Sequence, residues 1–504
     1  MVTAKVYSAA SLGFDGRLIE IECDTSSGLP GIVIVGLANK AIDEAKERIR
    51  SSIKNSAMML PRKRITLNLA PADLPKDGSC YDLPMTIAVL AAGQQIRTVF
   101  LNDSLFVGEL SLDGSLRSIR GVISHAEVAK QNGFKRIFVP KQNAAQATLV
   151  DGIEVIPVAS LHELCGHLNE VSSIRPQQVT KIHTLGKSRL TDFGDIYGQT
   201  QAKRALEIAA AGHHNILLNG PPGTGKTMMA RALLSVTPPP TTEETIAITK
   251  LHSLAGELTD EILAERPFRS PHHTSSSVAL IGGGRSPRPG EISLANKGIL
   301  FLDELPEYSR SCLEALRQPL EDRVVTVARA QETLTFPADF MLVATQNPCP
   351  CGYYMDTDHE CSCTPGQIAQ YSKKVSGPLI DRIDLVVAVQ RVAHKHLLST
   401  DSASSQLRTS EQILKRVIAA RTRQRERFNS TSKTNAHMSN RDIVKLADLT
   451  NDAKTFLETA AVKLLLSARS YMKVLRVSRT IADLENDKSI EIKHVTEALL
   501  YRPR

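Results

Sequence analysis

Residues 220–227 read Gly-Pro-Pro-Gly-Thr-Gly-Lys-Thr, directly after the apolar run Ile216-Leu217-Leu218 and directly before the helix-forming stretch 228–234. A strand therefore feeds a glycine-rich loop that opens a helix, an arrangement that turns backbone N–H groups inward around a phosphate. Gly220, Gly223 and Gly225 permit the turn, and Pro221, Pro222 and Thr224 complete the loop. Lys226 brings a cation to the β- and γ-phosphates, and Thr227 a hydroxyl ligand for Mg²⁺. Further on, the apolar run 298–302 ends in Asp303 and Glu304; Asp303 suits a second Mg²⁺ ligand and Glu304 a group that polarises water. A third apolar run, 340–346, ends in Asn347, whose amide suits contact with the attacking water or the terminal phosphate. Arg382 lies between Asp381 and Asp384, either ion-paired to one of them or free to bridge to a phosphate. The helical run 467–485 offers Arg469 and, one face further on, Arg476. The set predicts hydrolysis of a nucleoside triphosphate, with ATP and Mg²⁺ as the ligands.

Those groups need a parallel sheet to carry them, and the chain is long enough for about three domains. The first, 1–165, mixes alternating strands (18–23, 64–69, 136–140) with helical stretches (41–55, 83–92) and reads as an α/β or α+β unit. Residues 166–190 carry polar residues, a proline and two glycines without periodicity and read as a linker. The nucleotide-binding α/β core follows over 191–395. A serine-rich break at 399–405 leads to a helical C-terminal domain, 405–504, with Ala453, Phe456, Leu457, Ala460, Ala461, Leu464 and Leu465 at helical spacing. The N-terminus lacks a charged start followed by an apolar stretch, and no uninterrupted apolar run approaches 18 residues. A cytoplasmic protein with no membrane partner is expected.

Net charge is +8, concentrated at the C-terminal end, where 405–504 hold 20 Lys plus Arg against 11 Asp plus Glu. That excess fits either a polyanion partner or a solvated helical face. Arg421, Arg423, Arg425 and Arg427 spread around one helix, so two or three phosphate contacts are the most they allow. Arg266, Arg269, Arg285, Arg288 and Arg329, interleaved with Phe268 and His272, offer a track for phosphates and stacked bases. The segment 323–335 alternates like a hairpin. His272 and His273 individually read as structural. Four of the eight cysteines, Cys349, Cys351, Cys361 and Cys363, form C-x-C-x9-C-x-C. They supply either a tetrahedral Zn²⁺ site or four reduced thiols in a surface loop.

The order of cradle, carboxylates, amide, bridging arginine and C-terminal arginine resembles the AAA+ ATPases, and over 190–504 their magnesium-chelatase branch. The strings at 266–274, 287–307, 344–354 and 376–385 closely resemble the bacterial YifB/ComM family. The resemblance implies that Asn347 is the first sensor, Arg382 an arginine finger acting on a neighbouring subunit's ATP, and Arg469 the second sensor, with Arg476 as fallback. It implies that the two arginine-bearing insertions point into the channel of a ring of six copies, and that the partner is single-stranded or branched DNA. The implied activity is ATP-driven branch migration during homologous recombination in natural transformation. The segment 75–84 resembles the serine segment of Lon-type proteases, which implies a shared but degenerate N-terminal fold. The nucleophile position aligns with Cys80, beside Ser79, and the partnering lysine position with Ile123, so peptidase chemistry is not expected.

Overall fold

The computed structural model describes residues 3–36, 40–74, 76, 78–182, 191–258, 261–284, 287–328, 333–354, 356, 358–391 and 409–503, with side chains omitted for 40–43. Arg285, Arg329, the end of the expected linker and the serine-rich break lie outside the described residues.

The N-terminal domain is built on a seven-stranded mixed sheet, in the spatial order Gly31–Val35, Arg64–Ala70, Asp15–Ser26, Ala4–Leu12, Ser104–Phe106, Arg136–Pro140, Glu154–Val158. Alternation along Arg64–Ala70 buries Ile65, Leu67 and Leu69 against the helix Asp82–Ala92, every residue of which is buried. The segment expected to begin the linker at 166 lies inside the helix Leu161–Leu168, and both Leu168 and Ile174 still pack in the N-terminal core. The polar residues around them masked two apolar anchors.

The core domain carries five parallel strands in the order Phe268–Arg269, Ile299–Leu302, Met341–Gln346, Ile216–Asn219, Leu385–Ala388. The middle strands are apolar along most of their length because helices cover both faces, with polar residues only toward their C-terminal ends. Two hairpins leave this sheet. One pairs Gly282–Gly283 with Arg288–Pro289, and the other pairs Val324–Ala328 with Thr333–Pro337, as the alternation predicts. The N-terminal domain docks on the core helix Thr242–Ala255, where Lys250 ion-pairs with Glu127 and the Gly121 N–H donates to Ser253 Oγ at 3.0 Å. It also touches the second hairpin, with the Phe14 N–H donating to the Thr335 carbonyl at 3.4 Å.

The C-terminal domain packs the helices Ser410–Phe428, Asn451–Lys463, Ala468–Glu485 and Ile492–Leu500 into a core shared with the sheet. Leu464 and Leu465 do not continue the expected apolar face. The helix ends at Lys463, and Leu465 sits at φ +49° and 90% exposed.

Candidate active site

Three adjacent parallel strands deliver the phosphate loop, the two carboxylates and the sensing amide to one edge, because each strand ends at the same level of the sheet. Gly220 follows Ile216–Asn219 so closely packed that a Cβ there would lie 2.2 Å from the Val389 carbonyl oxygen, so only glycine fits. Gly223 and Gly225 hold φ of +78° and +81°, and Gly225 caps the helix Lys226–Val236. The Lys226 ammonium donates to the Gly220 carbonyl at 2.6 Å, the Pro221 carbonyl at 2.8 Å and Asn347 Oδ1 at 3.1 Å. Burial lowers its pKa, and the nearby Asp303 and Glu304 oppose that shift.

Thr227 Oγ1 donates to Asp303 Oδ2 at 3.2 Å. The other oxygen of Asp303 accepts from the hydroxyl of Thr345, which itself accepts from the Glu304 N–H at 2.9 Å. Glu304 holds φ +52°, a left-handed turn that breaks the strand just after Asp303 and leaves the glutamate exposed at its tip. Thr345, fully buried one position before Gln346, thus aims both carboxylate residues; sequence reasoning did not single it out. A hydroxyl inside an otherwise apolar run was the available signal. Thr227 and Asp303, a hydroxyl and a carboxylate, fit the donor set of Mg²⁺.

Arg382 and Arg469 stand elsewhere. Arg382 ion-pairs with Glu321 and donates to the Pro378 carbonyl at 2.7 Å, so its partner is neither Asp381 nor Asp384. Asp384 instead faces His214 at 3.5 Å and accepts from the Asn215 N–H. Arg469 reaches the second oxygen of Glu321 at 3.5 Å. Both line a polar cleft with Arg323, Lys473 and Arg476, and neither contacts the phosphate loop, Asp303, Glu304 or Asn347. Arg476 keeps a buried Nε without a hydrogen-bond partner.

Several cations expected to meet DNA are occupied within the chain. Arg266 donates to the carbonyls of Pro238 and Lys297, each at 2.5 Å, and pairs with Glu244. Arg269 pairs with Glu257 and Glu291, and Phe268 stacks on Phe301. Arg421 donates to the Ala210 carbonyl at the end of the helix Thr200–Gly212, Arg423 to the Asp483 carbonyl, and Arg427 pairs with the buried Asp483. Arg288 and Arg425 remain exposed. His272 packs tilted against His273, with ring centroids 4.1 Å apart, and bonds the Thr274 hydroxyl at 2.8 Å.

The four clustered cysteines converge. Cys349 Sγ lies 3.3 Å from Cys351 Sγ and 3.7 Å from Cys361 Sγ, and all four sulfurs fall within 4.8 Å of one another. Four ligands at the usual Zn–S length of about 2.3 Å are about 3.8 Å apart at tetrahedral angles, so the set fits that ion.

In the N-terminal domain, Cys80 packs between two apolar clusters, and burial pushes its thiol up to about 12. Ile123 is fully buried in the core, and Ser79 bonds Glu109.

Residues 192–397 match the family described as magnesium chelatase, subunit ChlI; 407–502 match its C-terminal family, and 21–143 the family described as subunit ChlI of Mg-chelatase. The chain is 44% identical over 507 residues to competence protein ComM of Haemophilus influenzae, covering 100% of this chain and 98% of that one. It is 41% identical over 498 residues to YifB of Escherichia coli, covering 99% and 96%. A third of it is similar to Lon protease 2 of Bacillus subtilis, at 30% identity over 185 residues and 32% of that protein's length. No helix among the described residues is long and apolar enough to cross a membrane. The chain belongs to the YifB/ComM family of magnesium-chelatase-like AAA+ ATPases.

Proposed function

We propose that the chain hydrolyses ATP as a ring of identical subunits, six in number, and uses the energy to drive DNA past its central channel, migrating branched DNA during homologous recombination of incoming strands in the cytoplasm. The observation that carries the reading is the meeting of Lys226, Thr227, Asp303 and Asn347 at the ends of three adjacent strands, while Arg382 and Arg469 pair with Glu321 in a separate cleft. One subunit then supplies the cradle and its neighbour the arginines.

In this reading Lys226 gives up its loop carbonyls to bind the β- and γ-phosphates, and Asn347 orients the terminal phosphate. Glu304, at the tip of its strained turn, accepts a proton from the attacking water. Thr227 and Asp303 would hold Mg²⁺, which when bound would supply neutralisation of the phosphate charge. Arg382 of the next subunit leaves Glu321 and stabilises charge on the transferring phosphoryl group, with Arg469 beside it. The four thiolates hold Zn²⁺. The relative named a competence protein supports a DNA-linked role. Arg288, with Arg285 and Arg329 of the same two arginine-bearing insertions, carries the contact with the strand.

A second reading is a chelatase-like motor that remodels a protein partner. The internal pairing of Arg266, Arg269, Arg421, Arg423 and Arg427 favours it, since it thins the basic track. Strand displacement on a synthetic branched DNA decides between them. ATP-dependent displacement that is lost in Asp303→Ala supports the first reading. Absence of displacement, with turnover indifferent to DNA, supports the second.

A further inference from the structure

The cysteine loop is placed where it touches both halves of the nucleotide site. Cys349 follows the sensing residue Asn347 by two positions and is completely buried. The tight turn that follows closes with the Gly352 N–H donating to the Cys349 carbonyl at 3.0 Å. Gly352 sits at φ +88°, and a Cβ there would lie 2.7 Å from Cδ of Pro222, so the turn rests directly on the phosphate loop. The loop's return limb passes Cys361 and Cys363 and enters the helix Pro365–Lys373 through a Thr364–Gln367 capping box. The Tyr371 hydroxyl of that helix lies near the Asn347 backbone, and Lys374 beyond it pairs with Glu307, just after the acidic turn. The loop's outer part is tied to the sheet edge: Asp356 pairs with Arg391 at 3.1 Å, and Arg391 covers Tyr353, which stacks on His359. Between these anchors, few apolar side chains hold 349–363 together. Four thiolates bound to one ion would supply the missing restraint.

We infer that Zn²⁺ held by Cys349, Cys351, Cys361 and Cys363 is a positioning element of the ATP site, fixing Asn347 and pressing the Gly352 turn against Pro222 of the phosphate loop. The inference rests on the zinc reading given above. It makes turnover depend on an ion that touches neither nucleotide nor water. Because Asn347 acts on the terminal phosphate, the effect falls on kcat and on discrimination between ATP and ADP, more than on ADP binding.

The test uses the full chain in three forms: wild type, Cys361→Ser/Cys363→Ser, and Gly352→Ala. Zinc per chain is measured by mass spectrometry of the purified protein, kcat and KM by steady-state ATP hydrolysis, and affinity with fluorescent ADP and a non-hydrolysable ATP analogue. Expected are one zinc in wild type and none in the cysteine variant, whose kcat falls by about tenfold or more with ADP affinity nearly unchanged. Gly352→Ala keeps its zinc and also loses kcat, because its methyl displaces the turn from Pro222. Wild-type zinc well below one per chain overturns the zinc reading and this inference with it. Zinc lost from the cysteine variant with kcat intact overturns the positioning role and leaves the zinc reading standing. If the cysteine variant does not fold, Gly352→Ala decides: zinc retained with unchanged kcat and unchanged ATP-to-ADP preference overturns the inference.

Discussion

The phosphate loop and the arginine cleft belong to one domain pair, yet they are organised oppositely. Around Lys226 the groups of the site already touch: Lys226 with Asn347, Thr227 with Asp303, and Asp303 with Thr345. In the cleft, Arg382 and Arg469 are both spent on one acid, Glu321, which is itself half exposed. The first region is preorganised for a ligand, and the second is neutralised by a partner it can exchange. The carboxylate of the pair stays open to solvent, which screens the attraction, so an incoming phosphate can take the place of Glu321. On the proposed reading, the difference means that a single chain holds a cradle without its arginine and an arginine without its phosphate.

The comparison breaks first on single substitutions. Arg382→Ala should cost about 10³-fold or more in turnover while leaving nucleotide binding by one chain intact; Lys226→Ala should lose both. An Arg382→Ala chain that hydrolyses normally would remove the arginine cleft from the reaction. Thr345→Val tests the preorganised side. It strips hydrogen bonds from Asp303 and the Glu304 backbone, and a lost bond to a charged group should lower kcat by about tenfold or more, with magnesium dependence shifted to higher concentration. Glu321→Gln tests the exchangeable side. Removing the competing charge should raise turnover a few-fold at protein concentrations where assembly is incomplete, and lower the concentration giving half-maximal activity; a loss of activity would mean that Glu321 orients the arginines productively.

The smallest effect concerns the joint that carries the cleft. Burial drives His213 well below the usual imidazole value and lowers His437, against the opposing pull of Asp339, while Lys297, Arg323 and Arg421 add positive charge nearby. Both rings hold a proton less readily in the folded state than in the unfolded chain, His213 more so than His437, so protonation favours unfolding. Their contribution is therefore full above pH 6.5 and is lost progressively as pH falls below it, with a slope of at most about 1.4 kcal/mol per pH unit for each proton taken up on unfolding. Thermal melts between pH 7.5 and 5.5 should show this slope, and His213→Asn with His437→Asn should flatten it.

Much of the preorganised region was legible because its chemistry is local. The glycine spacing at 220–225 demands a loop, the apolar runs before Asp303 and Asn347 demand buried strands, and parallel pairing then brings their ends together. The cleft was much less legible. Glu321 looks like any acid near the end of a helix, and nothing local says that arginines 61 and 148 positions away will meet it. Charge counting left two readings open for a related reason. An arginine side chain is long enough to reach a helix-end carbonyl, as Arg421 reaches Ala210 and Arg423 reaches Asp483, so a basic run records donors without saying whether protein or solvent accepts them. Thr345 escaped because its role depends on the left-handed turn at Glu304, which exists only once the strands have paired.

The most direct measurement mixes two inactive chains. Lys226→Ala keeps the arginines, and Arg382→Ala keeps the cradle; co-assembled, they create interfaces with both. ATP hydrolysis that reappears on mixing, at stoichiometries where mass photometry shows mixed rings, is the predicted result. Mixed rings that stay as inactive as either variant alone would contradict a site shared between neighbouring subunits.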